Sequence, residues 1–165
     1  MGRIISIVNQ KGGVGKSTTA MNVAAYLAHL GRFVLLIDLD PQANVTSGLG
    51  IDPRTAQRTI YHVLTGQHAL RDIVQPTSHE GYRLIPSSAD TAGANIELVS
   101  QERREFRLRD AILEIKNDYD YIIIDSPPSL GLLTINGLVA ANEILIPVQC
   151  EYYALEGLGQ LLYTI

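Results

Sequence analysis

Cysteine is almost missing from this chain of 165 residues; Cys150 stands alone. A disulfide framework and a cysteine-based metal cluster are therefore excluded. Cys150 itself reads as a small core residue just after a strand over 144–148. No apolar run reaches the roughly 18 residues that a membrane-spanning helix needs. The N-terminus leads straight into a strand, so no signal peptide is expected. An excess of basic charge is missing too: 13 Lys and Arg stand against 17 Asp and Glu, a formal net charge of −4. Bulk charge thus gives no argument for nucleic-acid binding. His29, His62, His68 and His79 lack metal-ligand spacing and are expected on the surface or on helices. No internal repeat, linker or low-complexity segment is visible. What is present is a 46% apolar composition, enough for a real core. One domain over 1–165 and a soluble cytoplasmic setting are expected.

Strand and helix patterns alternate along the chain. Residues 3–8, 33–37, 82–86, 121–124 and 144–148 are short, apolar runs, read as strands. Helices are expected over 16–30 (stopped by Gly31), 59–65 (closed by Gly66), 91–100, 104–116, 131–141 and 153–163. A polar loop is expected from Asp38 to about Asp52. Continuous apolar strands alternating with helices predict an α/β fold: a three-layer, doubly wound, mainly parallel sheet.

Lysine is scarce as well, with only Lys11, Lys16 and Lys116, yet two of the three lie within six residues of each other. They sit in Gln10-Lys11-Gly12-Gly13-Val14-Gly15-Lys16-Ser17-Thr18, between the first strand and the first helix. The end of this run fits G-x-x-x-x-G-K-[ST], except that Gln10 stands where the pattern begins with glycine. Glycines let consecutive N–H groups curl inward and remove side chains that would block a phosphate. The helix N-terminus adds partial positive charge. Gly12 to Thr18 are therefore candidate ATP-phosphate binders. Lys16 would bridge the β- and γ-phosphates, and the Ser17 hydroxyl would ligate Mg²⁺.

Two acidic motifs follow strands. Asp38-Leu39-Asp40-Pro41-Gln42-Ala43-Asn44 places two carboxylates at a strand's carboxyl end, where open parallel sheets bind ligands. The same pair would also serve as turn and cap residues. Tyr121-Ile122-Ile123-Ile124-Asp125-Ser126-Pro127-Pro128 is an apolar strand ending in Asp, whose carboxylate would hold a Mg²⁺-bound water opposite Ser17. The two prolines stiffen the exit from that strand, and Gly131 offers hinge freedom.

With its early lysine, Lys11-Gly12-Gly13-Val14-Gly15-Lys16-Ser17-Thr18 resembles the deviant Walker A P-loop of ParA/MinD-type ATPases. Asp40-Pro41-Gln42, Asn44, Thr46-Ser47-Gly48-Leu49, Pro147 and Glu151-Tyr152-Tyr153-Ala154-Leu155 resemble the ParA/Soj partition branch. The likeness covers essentially the whole chain. It implies that Lys11 reaches the nucleotide of a second subunit, with Gly12 permitting the close approach. It implies that Asp40 positions the attacking water, that Asp38 approaches Mg²⁺ through a water, and that the segment after Asp125 senses the γ-phosphate. A second cation in a dry interface suits an ATP tail of about four negative charges.

The resemblance further implies ATP and Mg²⁺ as cofactors, an ATP-dependent homodimer and a ParB-type DNA-binding partner. Nonspecific DNA would be held mainly by a C-terminal part missing here, the chain matching roughly the N-terminal two-thirds of the family domain. The expected role is DNA partition, for chromosome or plasmid, by a nucleoid-associated cytoplasmic ATPase. Two alternatives are a nucleotide-binding regulatory module with little catalysis and a positioning ATPase for non-DNA cargo. Arg103, Arg104, Arg107 and Arg109 form a basic cluster. Glu102, Glu105, Asp110 and Glu114 interleave with it, so it reads as a solvated helix face with i,i+4 pairs. Tyr152 and Tyr153 read as core and pocket-edge packing.

Overall fold

The computed structural model describes residues 2–150 and Gly159. Its strands are β1 (Arg3–Ile7), β2 (Val34–Asp38), β3 (Gln75–Pro76), β4 (Tyr82–Ile85), β5 (Tyr121–Asp125) and β6 (Glu143–Leu145). They form one sheet in the order β3-β4-β2-β5-β1-β6. Every pairing is parallel except that of β3 with β4. The helices are α1 (Lys16–His29), α2 (Asn44–Gly48), α3 (Ile60–Leu64), α4 (Thr91–Glu97), α5 (Arg107–Leu113) and α6 (Leu132–Ala140).

Side chains of a strand point alternately to the two faces of the sheet, and both faces are covered. Leu35, Ile37, Ile122 and Ile124 enter one core with Leu64, Leu108, Ile112 and Leu133 from α3, α5 and α6. Val34, Leu36 and Ile123 enter the other with Ala20, Ala24 and Ala28 of α1. Those alanines, four residues apart, lie on one face of α1 and let it sit close to the sheet. Each fully buried Leu or Ile contributes about 1.5–3 kcal/mol. The result is the three-layer α/β sandwich that the alternation predicts. Because the main strands are parallel, the ends of β1, β2 and β5 open at one edge. There Asp38 lies opposite Asp125 in adjacent strands, and Ile7 lies opposite Asp125 on the other side.

Several local expectations are corrected. The loop after Asp38 contains α2, which the polar run Asn44-Val45-Thr46-Ser47-Gly48 does not advertise. It starts at Ala43, in a left-handed conformation with φ 52°, and no side chain caps it. The expected helix over 104–116 is broken into a 3₁₀ turn (Arg104–Phe106), α5 and a second 3₁₀ turn (Lys116–Asp118). A continuous helix would pair the Leu108 N–H with the Arg104 carbonyl. Instead the Asn136 side chain takes both, accepting from Leu108 at 3.0 Å and donating to Arg104 at 2.8 Å. The last strand stops at Leu145, before Pro147, which has no N–H to give a ladder. Cys150 is exposed rather than part of the core. The edge strand β3 has no apolar alternation, and its Pro76 is tolerated only at an edge. The expected helix over 153–163 and the packing of Tyr152 and Tyr153 lie outside the described residues.

Candidate functional site

The loop leaving β1 builds one wall of the site. Gly13 and Gly15 have φ of 73° and 85°, a left-handed region that favours glycine. An added Cβ on Gly12, Gly13 or Gly15 would meet nothing within 4 Å, so the space in front of the loop is open. Gly12 does not share the positive φ, and nothing among the described residues demands a glycine there. A pocket of about 420 Å³ opens here, lined by the loop glycines, Lys16, Ser17, Thr18, Met21, Asp40, Gln42, Asn44 and Pro128. Val14 is buried beneath the loop, while Thr18 is exposed to the pocket.

Lys16 opens α1 and is itself buried. Its Nζ donates to the Lys11 carbonyl at 3.3 Å. Burial holds its pKa below the ordinary lysine value, with Asp125 and Asp40 pulling the other way. Ser17 Oγ donates to Asp125 Oδ2 at 2.6 Å, so the start of α1 and the end of β5 are joined directly. Asp125 Oδ1 is buried and has no hydrogen-bond partner among the described residues. Burial pushes the Asp125 pKa up to about 6, with Ser17 and Lys16 opposing and Asp40 reinforcing the rise.

Asp38 is fully buried and well supplied with donors. Its Oδ1 accepts from the Asp40 N–H at 3.1 Å. Its Oδ2 accepts from the Thr46 N–H at 2.9 Å and the Thr46 hydroxyl at 2.7 Å. Burial still outweighs these bonds, and the Asp38 pKa is pushed up to about 7. Asp40 faces the pocket, its Oδ1 accepting from the Gln42 N–H at 2.9 Å.

The segment after β6 reaches over the phosphate-loop side. Asn9 donates to the Pro147 carbonyl at 2.7 Å and accepts from the Lys11 N–H at 2.9 Å. Gln149 accepts from Lys11 Nζ and donates to the Gly13 carbonyl, both at 3.4 Å. The structure thus gathers Lys11, Gly12 to Thr18, Asp38, Asp40 and Asp125 at one edge of the sheet. Sequence reasoning missed Asn9, Thr46 and Gln149. Asn9 was detectable as an amide directly before the glycine loop. Thr46 stands out only within the run Thr46-Ser47-Gly48-Leu49, and Gln149 not at all. Their roles show no local signal, because they rest on bonds to residues distant in sequence.

These residues fit a divalent cation bound with a polyphosphate. An orphaned carboxylate oxygen sits beside a serine hydroxyl, under a left-handed glycine cradle with a lysine at its mouth. The described residues contain no group of three or more His, Cys, Asp or Glu able to hold a metal. Phosphate oxygens and waters would complete the shell, a coordination that suits Mg²⁺. The basic cluster stays outside this site. Arg103 pairs with Asp110 at 2.9 Å and Arg104 with Glu105 at 2.8 Å, so the pairs lie seven and one residues apart rather than four. Arg103 and Arg109 also lie over the Phe106 ring. His62 Nδ1 accepts from the Thr59 N–H at the start of α3, a capping role.

Residues 2–165 match the family model AAA_31, described as an AAA domain. The chain belongs to this family. Its relatives include the chromosome partitioning protein ParA of Myxococcus xanthus (strain DK1622). That protein is 56% identical over 165 residues, all of this chain and 58% of the relative. The sporulation initiation inhibitor protein Soj of Bacillus subtilis (strain 168) is 55% identical over all of this chain and 65% of its own length. The chain therefore spans 58–65% of the length of these two curated relatives. A solved structural neighbour is cobyrinic acid a,c-diamide synthase from Mycobacterium smegmatis with bound ADP and magnesium. It has a TM-score of 0.96 and 44% identity, covering 100% of this chain and 67% of that one. Among the described residues no helix is long and apolar enough to cross a membrane.

Proposed function

We propose that this chain is the nucleotide-binding core of a Mg²⁺-dependent ATPase of the ParA/Soj type. The carrying observation is the Ser17–Asp125 bond, set at the foot of the glycine loop, with a buried Asp125 Oδ1 that has no partner among the described residues. Identity of 55–56% to ParA and Soj, against 44% to the diamide synthase, favours the partition reading. That the synthase was solved with ADP and magnesium supports the choice of ligand.

Each side chain then has a role. The loop amides of Gly13 to Thr18 and Lys16 Nζ hold the phosphates. Ser17 would hold Mg²⁺, with Asp125 and Asp38 orienting waters beside it. Magnesium, when bound, supplies charge neutralisation on the phosphate oxygens. Asp40 orients the water that attacks the γ-phosphorus as the bond to the bridging oxygen breaks. Positioning and charge stabilisation are the main demands of phosphoryl transfer. Lys11 extends to the nucleotide of a second copy, and open space around Gly12 admits that copy. The ATP-bound homodimer would engage nonspecific DNA and a ParB-type partner to move chromosome or plasmid DNA on the nucleoid in the cytoplasm.

Sedimentation with and without Mg²⁺ and ATP, beside the Asp40→Ala variant, tests this reading. A nucleotide-dependent shift to dimer, stronger in Asp40→Ala, is expected. A chain that stays monomeric in every condition would overturn the sandwich. Nucleotide binding with no turnover, even with DNA and a ParB protein added, would make the chain a binding module.

A further inference from the structure

The strongest new feature lies behind the site, in a buried chain of hydroxyls. Asp38, Thr46 and Ser87 are all fully buried. Thr46 Oγ1 accepts from the Ser87 N–H at 2.9 Å. With that lone pair engaged, its own proton is aimed at Asp38 Oδ2 at 2.7 Å. Ser87 Oγ donates onward to Thr91 Oγ1 at 3.0 Å, in the first residue of α4. One turn later Asn95 Oδ1 accepts from the Leu133 N–H of α6 at 3.4 Å. Helix α4 therefore reaches Asp38 through Thr91, Ser87 and Thr46, and it also bonds α6 through Asn95.

We propose that Thr46 is a positioning residue for the Mg²⁺–nucleotide site, its hydroxyl fixing the orientation of Asp38 and anchoring it to α4. This rests on the ATPase reading above. A carboxylate at a strand end can rotate about its side-chain bonds, and donors on both oxygens stop it. Three donors hold Asp38, and the Thr46 hydroxyl makes the shortest of the three bonds. Bonds to a charged group are the strong ones, and their loss leaves both partners short in a dry place. Thr46→Val keeps the shape and removes the bond. Asp38 then keeps only its two backbone donors, its link to Ser87 and α4 is cut, and the acceptor it offers a cation-bound water is held less firmly.

The test is titration calorimetry of ADP, once with Mg²⁺ and once with EDTA, on the purified parent, Thr46→Val and Thr46→Ser chains. In Thr46→Val the gain in affinity from Mg²⁺ is expected to fall by roughly 10- to 100-fold, the value of one charge-assisted bond. Affinity in EDTA should stay within about twofold, since the loop amides and Lys16 carry it. Thr46→Ser should restore the gain. An undiminished gain in Thr46→Val, an equal loss in EDTA, or no rescue by serine would each overturn the inference while leaving the ATPase reading intact. A parent chain whose ADP affinity does not respond to Mg²⁺ would sink the ATPase reading, and this inference with it. Melting curves report folding. Should Thr46→Val fail to fold, Thr46→Ala against Thr46→Ser gives the same comparison.

Discussion

The two segments that meet at this site are built in opposite ways. The loop after β1 is written in its own residues: Gly13 and Gly15 take left-handed backbone, and Lys16 and Ser17 follow at once as the first residues of α1. The segment after β2 is held from outside. Ala43 takes φ 52° although it is not glycine, α2 has no side-chain cap, and Thr46 ties it to Asp38 and Ser87. The first segment has glycines that can take the left-handed backbone, with bonds to Asn9, Gln149 and Asp125 holding it in place. The second has no such residue at Ala43 and takes its form only when β2, α2 and the end of β4 are together.

Substitutions can sharpen or break that contrast. The largest effect is expected from Lys16→Ala, which removes the buried cation of the first segment. Nucleotide affinity should fall by at least roughly 100-fold, as for loss of a charge-assisted phosphate contact. An affinity within a few-fold of the parent in calorimetry would remove Lys16 from the site. Next comes Asp40→Ala in the second segment. Turnover should fall by about 10²- to 10⁴-fold while nucleotide binding persists, the signature of a group acting on the water alone. Unchanged phosphate release would defeat the assignment and leave the second segment without a chemical role.

A pH effect separates the segments differently. Asp38 and Asp125 have pKa values raised from 3.8 to about 7 and about 6. A raised carboxyl favours the folded state below its unfolded pKa and loses that benefit as pH rises through the folded value. Without Mg²⁺ or nucleotide, the urea midpoint should therefore climb as pH falls from 8 to 6, the unfolding free energy rising by an amount on the order of 1 kcal/mol. A midpoint that stays flat or drops over that range would contradict the burial argument for both carboxylates.

The smallest effects are backbone ones. Gly15→Ala meets no steric clash but forces alanine to φ 85°. The cost of about 1–2 kcal/mol corresponds to a melting point lower by about 2–8 °C for a chain of this size. Ala43→Gly relieves similar strain, but it loses a buried methyl and gains unfolded-state entropy. It should move the melting point by less than about 3 °C. A larger fall for Ala43→Gly than for Gly15→Ala would reverse the contrast between the two segments.

Much of the fold was legible because its signals are short-range. Apolar runs located the parallel strands to within one to three residues, and Gly31 and Gly66 end their helices in left-handed turns as read. The phosphate loop was legible for the same reason. Helix α2 was not, since Asn44-Val45-Thr46-Ser47-Gly48 contains weak helix formers and is held by tertiary bonds. The break at Phe106 was not, since the Asn136 amide responsible for it comes from another helix. Cys150 was misread because small apolar residues are usually buried, whereas here the chain has left the sheet at Leu145.

By itself the sequence determined the sheet's parallel strands, the layers that cover them and the glycine loop between β1 and α1. Periodicity and glycine placement act over a few residues and need no partner to be read. Tertiary structure alone decided that Ser17 bonds Asp125 directly, that Asp125 Oδ1 has no partner among the described residues, and that Thr46 and Ser87 lock Asp38. Those facts depend on the parallel pairing of β2 with β5 and of β5 with β1, and on contacts between residues 41 and 108 positions apart. Hydrogen-bond donors and buried charge act through space, and only the folded chain sets those distances.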